Sequence, residues 1–240
     1  MSKRLESIFQ SSSPKTKLVS YFVGCYPDPD TSFELIKQAI DNGISILEIG
    51  YCTSEASAEG PIIKKAHDHV LENNFTLKDT IKLVKRIRDY NSDVGIVLMG
   101  YIANLYKYPI PNFVKDVKKA GADAVLVVDA PHELKEENIL RENLNKNELS
   151  LIKLVAPTTD EKRLKDIIKI SSGFLYQVTV TGTTGQKSAD LNDLEKSVTF
   201  IKKHTNLPVV PGFGIKNSSD VNNICKIADG AVVGSSIIKI

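Results

Sequence analysis

Short apolar runs rich in β-branched residues alternate along this chain with longer segments whose apolar residues recur at helical spacing. The runs have the length and composition of β-strands, and the longer segments those of amphipathic helices. The predicted strands span residues 17–23, 44–49, 94–99, 124–128, 151–156, 173–180, 207–210 and 231–233. The predicted helices span residues 31–42, 77–90, 111–120, 132–144, 160–170, 191–205 and 218–227. Strict alternation of strand and helix is typical of a parallel sheet flanked by helices.

The number of these units predicts how the sheet closes. Eight strands in 240 residues favour a closed (β/α)8 barrel, the TIM barrel, over an open α/β sheet, and residues 1–240 are predicted to form a single domain. A further segment, 4–10, places Leu5 and Ile8 at helical spacing. It is predicted to be an extra N-terminal helix that covers the floor of the barrel.

Charge and cysteine content exclude several classes of partner. The chain carries 31 basic and 29 acidic residues, and this balance predicts no general attraction to nucleic acid or to a membrane surface. Cys25, Cys52 and Cys225 lack the spacing of a disulfide framework, which suits a reducing cytoplasm. No apolar stretch has the length or flanks of a signal peptide or a membrane span, so a cytoplasmic location is predicted.

Two glycine-containing turns near the end of the chain each follow a short apolar run: Gly212-Phe213-Gly214 and Gly234-Ser235-Ser236. Backbone amides without a neighbouring Cβ approach an anion closely, and a following helix N-terminus adds partial positive charge. Loops after strands seven and eight of a (β/α)8 barrel frequently bind a phosphate. The loop 179–187, with two glycines among four threonines, fits either the same chemistry or an ordinary turn. The sequence therefore predicts a phosphorylated small-molecule ligand.

Glu48 is the most informative single residue. Strand alternation puts it on the same face as Ile44 and Ile46, so its carboxylate is expected inside the barrel at the C-terminal end of the second strand, where barrel enzymes do their chemistry. Apolar surroundings would raise its pKa and suit it to donate a proton near neutral pH. The alternatives are a carboxylate neutralised by a lysine and a carboxylate that points to solvent.

A long loop, 51–61, follows this strand and has the small residues of a mobile lid. Glu55 and Glu59 lie in it, and Glu48 with Glu59 fits a catalytic pair of carboxylates in different environments. From the residues alone, solvated loop charge is the favoured interpretation of Glu55 and Glu59. Pro61 at the end of the loop suits the first turn of a helix.

Four aromatic residues are predicted near the same rim and fit either a flat apolar pocket or plain core: Tyr21, Tyr101, Tyr176 and Phe213. The histidines do not cluster. His67 and His69 are two residues apart on a predicted helix and therefore face different ways, while His132 and His204 are isolated. No metal site is predicted.

With these residues in place, the sequence resembles the tryptophan synthase α-subunit family over nearly its whole length. The segments that carry the resemblance are 46–50, 58–61, 125–131, 178–185, 211–215 and 234–239. Each is moderately specific alone, and together, in this order and spacing, they are strongly specific. The resemblance implies retro-aldol cleavage of indole-3-glycerol phosphate to indole and glyceraldehyde 3-phosphate, in tryptophan biosynthesis.

The resemblance also implies roles for individual residues. Glu48 would be the general acid that protonates indole C3, and Glu59 would accept from the indole N–H and offset the positive charge of the intermediate. Thr184 would help to close the site, and Tyr176 would lie beside Glu48. The implied substrate-binding residues are Tyr21, Tyr176, Thr184, Gly185, Phe213, Gly214, Gly234 and Ser235, with the glycines and Ser235 around the phosphate and Phe213 against the indole.

The family's properties imply no cofactor on this subunit and a pyridoxal-phosphate β subunit as partner, in an αββα complex. Three departures from the family pattern stand out. The lid has Glu55 and Glu59 where the family has aspartates and lacks the family's prolines, and Asn104 comes one residue late. Members usually continue beyond the position of Ile240, so the C-terminal helix is expected to be truncated. The altered lid keeps open the alternative of a low-activity regulatory α-type subunit that binds ligand and activates a β subunit.

Overall fold

The computed structural model describes residues 2–12, 17–131, 133–178, 191–212, 215 and 217–238. Within these residues, eight parallel strands close into a barrel in sequential order, with the first strand paired to the last. The strands are β1 (Lys17–Val23), β2 (Ile46–Gly50), β3 (Gly95–Gly100), β4 (Ala124–Val127), β5 (Ser150–Val155), β6 (Leu175–Val178), β7 (Val209–Gly212) and β8 (Gly230–Val233). The predicted (β/α)8 barrel is confirmed.

Helices connect these strands and surround the barrel. In the described residues they are α1 (Lys3–Gln10), α2 (Pro29–Asp41), α3 (Pro61–Glu72), α4 (Leu77–Tyr90), α5 (Ile102–Lys107), α6 (Ile110–Ala120), α7 (Lys135–Lys146), α8 (Glu161–Ile170), α9 (Leu191–Lys202), α10 (Ser218–Ile224) and α11 (Ser235–Ile238). The sequence pattern predicted only the start of α3 and missed α5 and α11, because α5 and α11 are too short to develop a helical period. None of the described helices is long and apolar enough to cross a membrane.

The seventh strand starts two residues later than predicted. The backbone N–H of Leu207 donates to Thr205 Oγ1 at 3.1 Å instead of to a neighbouring strand. Pairing with β6 runs from Val209 to Gly212, so Gly212 belongs to the strand and not to the turn after it. The predicted fifth and sixth strands also differ from β5 and β6 at their ends, and residues 179–180 lie outside the described part of the chain.

The inside of the barrel is a packed apolar cluster. Its buried residues are Leu5, Val19, Ile46, Val97, Ala124, Leu126, Ile152, Phe174, Val210 and Val232. Leu5 comes from α1, so the predicted N-terminal helix does cover the barrel floor. Arg4 of α1 and Arg88 of α4 pair with the buried Asp123 carboxylate at 2.5 and 2.9 Å, so the Arg4 ion pair ties the N-terminal helix to the bottom of the sheet.

Candidate active site

The Glu48 carboxylate lies inside the barrel at its C-terminal end. Ile46, two residues earlier in β2, belongs to the apolar cluster inside the barrel, and strand alternation puts Glu48 on the same face. The side chain is 1% exposed, and no described lysine or arginine forms an ion pair with it. Among the described residues, Glu48 Oε1 has no hydrogen-bond partner. Of the alternatives left open by the sequence, the described surroundings therefore match the inward, buried carboxylate.

Burial changes the acidity of Glu48. Removal from water raises its pKa to about 8, and the nearby Glu59 carboxylate contributes to the same shift. A carboxyl group with this pKa is mostly protonated at neutral pH and has a proton to donate.

Glu59 lies beside it, although the lid residue was expected to be solvated. It is 8% exposed, and burial raises its pKa to about 7. The Tyr101 hydroxyl donates a hydrogen bond to its carboxylate, which favours the ionised form and opposes the effect of burial. The expectation of solvated charge is thus wrong for Glu59, because the lid folds back over the barrel mouth. It holds for Glu55, which is exposed.

Tyr21 and Tyr176 also line the C-terminal mouth of the barrel. Tyr21 pairs in register with Glu48, and its hydroxyl passes over Gly50, where a Cβ would overlap it. Tyr176 is on β6, across the barrel from β2, and its hydroxyl passes over Gly212 in the same way. Burial raises the pKa of both phenols, and the two glutamates add to the effect, so both phenols keep their protons.

The predicted phosphate site is described only in part. Gly234 directly follows β8, and a Cβ on it would lie 3.6 Å from Tyr21 Cβ, so this turn borders the mouth. Ser235 is half-buried and opens α11. Four other predicted binding residues lie outside the described part of the chain: Thr184, Gly185, Phe213 and Gly214.

Two residues at the mouth were not predicted to act there. The sequence predicts Tyr101 near the rim as part of a flat apolar pocket or of the core, whereas its hydroxyl hydrogen-bonds to the Glu59 carboxylate. The sequence indicates only that His67 and His69 make a poor metal pair, whereas the His67 side chain is 1% exposed and its Nε2 lies 3.1 Å from the Tyr21 hydroxyl. The spacing of the buried positions Ile63, Ala66, His67 and Val70 in α3 is the signal that would have found it.

His69 is exposed, so the two histidines do face different ways as predicted. In the described residues, no three His, Cys, Asp or Glu side chains are arranged to hold a metal ion.

A parallel barrel with two buried carboxylates of raised pKa at the C-terminal mouth defines the class of an acid–base enzyme. Residues 9–240 match the family model described as "Tryptophan synthase alpha chain". The chain belongs to this family, so the α-subunit enzyme of tryptophan biosynthesis predicted from the sequence is confirmed.

Individual relatives agree with this assignment. The tryptophan synthase alpha chain of Gluconobacter oxydans is 39% identical over 92% of this chain and 82% of its own length. That of Neisseria meningitidis serogroup B is 34% identical over 98% of this chain and 90% of its own length. The crystal structure of tryptophan synthase subunit alpha from Legionella pneumophila superposes with a TM-score of 0.89 at 28% identity, over all of this chain and 88% of that one.

Proposed function

We propose that this chain cleaves indole-3-glycerol phosphate into indole and glyceraldehyde 3-phosphate by a retro-aldol reaction. Glu48 donates a proton to C3 of the indole, which turns the ring into an electron sink. The bond between C3 and the glycerol carbon then breaks as the hydroxyl on that carbon gives its proton to the ionised Glu48 carboxylate and becomes the aldehyde, which returns Glu48 to its protonated form. Atoms and charge balance without an external oxidant or reductant.

The observation that carries the proposal is the difference between the two carboxylates. Burial raises the pKa of both side chains, to about 8 for Glu48 and about 7 for Glu59, and Oε1 of each lacks a described hydrogen-bond partner. The two differ in that Glu59 receives a hydrogen bond from the Tyr101 hydroxyl, which favours its charged form, whereas no described hydrogen bond favours the charged form of Glu48. Because Tyr101 stabilises the anion at Glu59, a proton shared by the pair at neutral pH resides on Glu48, and Glu59 is the carboxylate. An acid and an anion of this kind are what C3 protonation and a positively charged indole intermediate require.

The substrate's phosphate is assigned to the turn at Gly234 and Ser235. The absence of a Cβ at Gly234 leaves the backbone open to an anion beside Tyr21. The glycerol chain then extends from this turn over the Tyr21 ring to Glu48, and the indole lies between the glutamates with Tyr176 across the mouth.

The test is indole release from indole-3-glycerol phosphate, measured with and without a tryptophan synthase β subunit. Glu48→Gln keeps the shape of the side chain but removes the proton donor, and it should lower turnover about 10²–10⁴-fold. Glu55→Gln, on the lid loop that follows β2 and exposed, is the matched control and should turn over normally. Equal turnover of native chain and Glu48→Gln would remove Glu48 as the acid.

The alternative of a low-activity regulatory subunit rests on the glutamates that replace the family's lid aspartates. The contact between Glu59 and Tyr101 favours the enzyme, since the longer side chain has a donor that orients it. A chain that activates the β subunit but releases no indole on its own or in complex would support the regulatory role instead.

The partner we propose is a β subunit carrying pyridoxal phosphate, in an αββα complex in the cytoplasm, with no cofactor on this chain. Asn104, where the sequence departs from the family pattern, lies in α5 in a region that family members use against the β subunit, and Tyr106 on the same helix is 61% exposed. Co-purification of the two chains, and indole release that survives a metal chelator and dialysis, would test these points. Loss of activity on dialysis would contradict the cofactor-free assignment.

A further inference from the structure

We propose that His67 fixes the Tyr21 hydroxyl so that it donates its hydrogen to a hydroxyl oxygen of the substrate's glycerol chain. The pair would make the site selective for a hydroxylated chain over a plain alkyl phosphate. The inference rests on the proposed function and deepens it, because it assigns a specificity role to two residues that take no part in the proton transfer at C3.

The geometry around His67 fixes which ring nitrogen carries the proton. The backbone N–H of Thr53 points to Nδ1 at 3.4 Å, and Tyr21 Oη lies 3.1 Å from Nε2. A backbone N–H can only donate, so Nδ1 must be the acceptor. Burial lowers the pKa of His67, which keeps the ring neutral. A neutral ring that accepts at Nδ1 carries its hydrogen on Nε2 and donates it to the Tyr21 oxygen.

The direction of the Tyr21 hydrogen follows from this. Because the Tyr21 oxygen accepts from His67, its own hydrogen cannot point at the histidine. Among the described residues, no acceptor takes that hydrogen in a hydrogen bond. Burial raises the pKa of Tyr21, so the hydrogen stays on the oxygen. A buried donor without a partner is costly, and a ligand oxygen that accepts from it gains affinity.

The place of the hydroxyl in the mouth identifies the ligand group. The Tyr21 ring begins beside Gly234, at the predicted phosphate turn, and its hydroxyl ends over Gly50 in the strand that carries Glu48. The ring therefore spans the same gap that the glycerol chain must cross between phosphate and acid. Gly50 makes this crossing possible, since any side chain there would overlap the hydroxyl.

The experiment compares two phosphate esters by calorimetric titration of the full chain. Glycerol 3-phosphate carries hydroxyls on its chain, and n-propyl phosphate has the same length without them. The native chain should bind glycerol 3-phosphate more tightly. Tyr21→Phe and His67→Phe should each weaken glycerol 3-phosphate about fivefold, the size of one neutral hydrogen bond, and leave propyl phosphate unchanged.

Further variants separate orientation from packing. The double variant should lose no more than either single one, because both remove the same contact. His67→Gln places an amide N–H near the position of Nε2 and should restore much of the preference for glycerol 3-phosphate over propyl phosphate. The shorter His67→Asn can accept from the Thr53 N–H but does not reach Tyr21, so it should not restore this preference. His69→Phe is the matched control, since His69 lies on the same helix but is exposed and bonds to the Pro27 carbonyl.

Several binding results would overturn the inference. Equal weakening of both esters would indicate a purely structural role and overturn the inference, as would unchanged preference in Tyr21→Phe. Native binding of glycerol 3-phosphate with no preference over propyl phosphate would also overturn it, while leaving the proposed function intact. Binding of neither ester by the native chain would overturn the proposed function, and this inference with it.

Discussion

The Tyr101 hydroxyl donates a hydrogen bond to the Glu59 carboxylate, while the neighbouring backbone N–H of Ala58 donates to the same hydroxyl at 3.2 Å. This pair of bonds joins the lid loop to the residue directly after β3. It also separates the two carboxylates chemically, since Glu59 has a donor that favours its charge, whereas no described hydrogen bond lowers the pKa of Glu48.

Tyr101→Phe tests this relationship through the pH profile. The hydrogen bond lowers the pKa of Glu59, so its loss should raise that pKa above about 7. Because Glu59 must be ionised to act, the acidic limb of the kcat profile should move to higher pH and turnover at pH 7 should fall several-fold. Tyr90→Phe, at the exposed end of α4 and away from the site, is the control. An acidic limb that stays in place would show that Tyr101 does not set the ionisation of Glu59.

Replacement of Glu59 tests the departure from the family's aspartate. Glu59→Ala should lower kcat far more than it raises KM, because the contact with the indole N–H and the developing positive charge acts mainly in the transition state. Glu59→Asp should also be slower, since the shorter side chain withdraws from Tyr101 by about 1 Å, and such a displacement can cost about a hundredfold. Steady-state indole formation with saturating β subunit measures both. A faster Asp variant would instead indicate a degraded enzyme.

The phosphate assignment is tested at Gly234. A Cβ there meets only ordinary contacts, the nearest at 3.6 Å, so Gly234→Ala should fold normally. Gly234→Asp puts a negative charge where the phosphate is expected and should weaken glycerol 3-phosphate at least tenfold, roughly the effect of one added like charge near the ligand. Titration of the two variants decides. If a folded Asp variant keeps native affinity, the phosphate binds elsewhere.

The raised pKa of Glu48 also predicts how stability depends on pH. The folded state holds this proton up to about pH 8, whereas an unfolded glutamate releases it near its ordinary pKa of 4.5. The folded state therefore binds more protons in this window, and its stability falls as the pH rises from about 4.5 to 8. Glu48→Gln cannot lose a proton, so it should be more stable than the native chain at pH 8, by on the order of a few kcal/mol, and about equal at pH 4.5.

Denaturant unfolding at the two pH values measures the difference. A native chain whose stability advantage over Glu48→Gln grew with pH would contradict the raised pKa, because that sign belongs to a carboxylate stabilised in its charged form.

The sequence alone determined the architecture and the position of Glu48, one of the two carboxylates of the site. Alternating strands and helices are local patterns of side-chain spacing, so the barrel, its N-terminal helix and the inward direction of Glu48 followed from periods of 2 and 3.6 residues. Errors came where the local pattern is weak. The start of β7 was placed early because Leu207 belongs to the apolar run, yet its N–H bonds to Thr205.

Only the tertiary structure decided the state of Glu59 and the role of His67. A glutamate in a loop of small residues has no periodicity that distinguishes solvated from buried, and its burial depends on Tyr101, which is 42 residues away in the chain. The contact of His67 with Tyr21 likewise spans 46 residues, between a helix outside the barrel and a strand within it. Raised pKa values and proton positions arise from such long-range contacts. Charge interactions depend on distance in space and on the exclusion of water, and the spacing of residues along the chain determines neither.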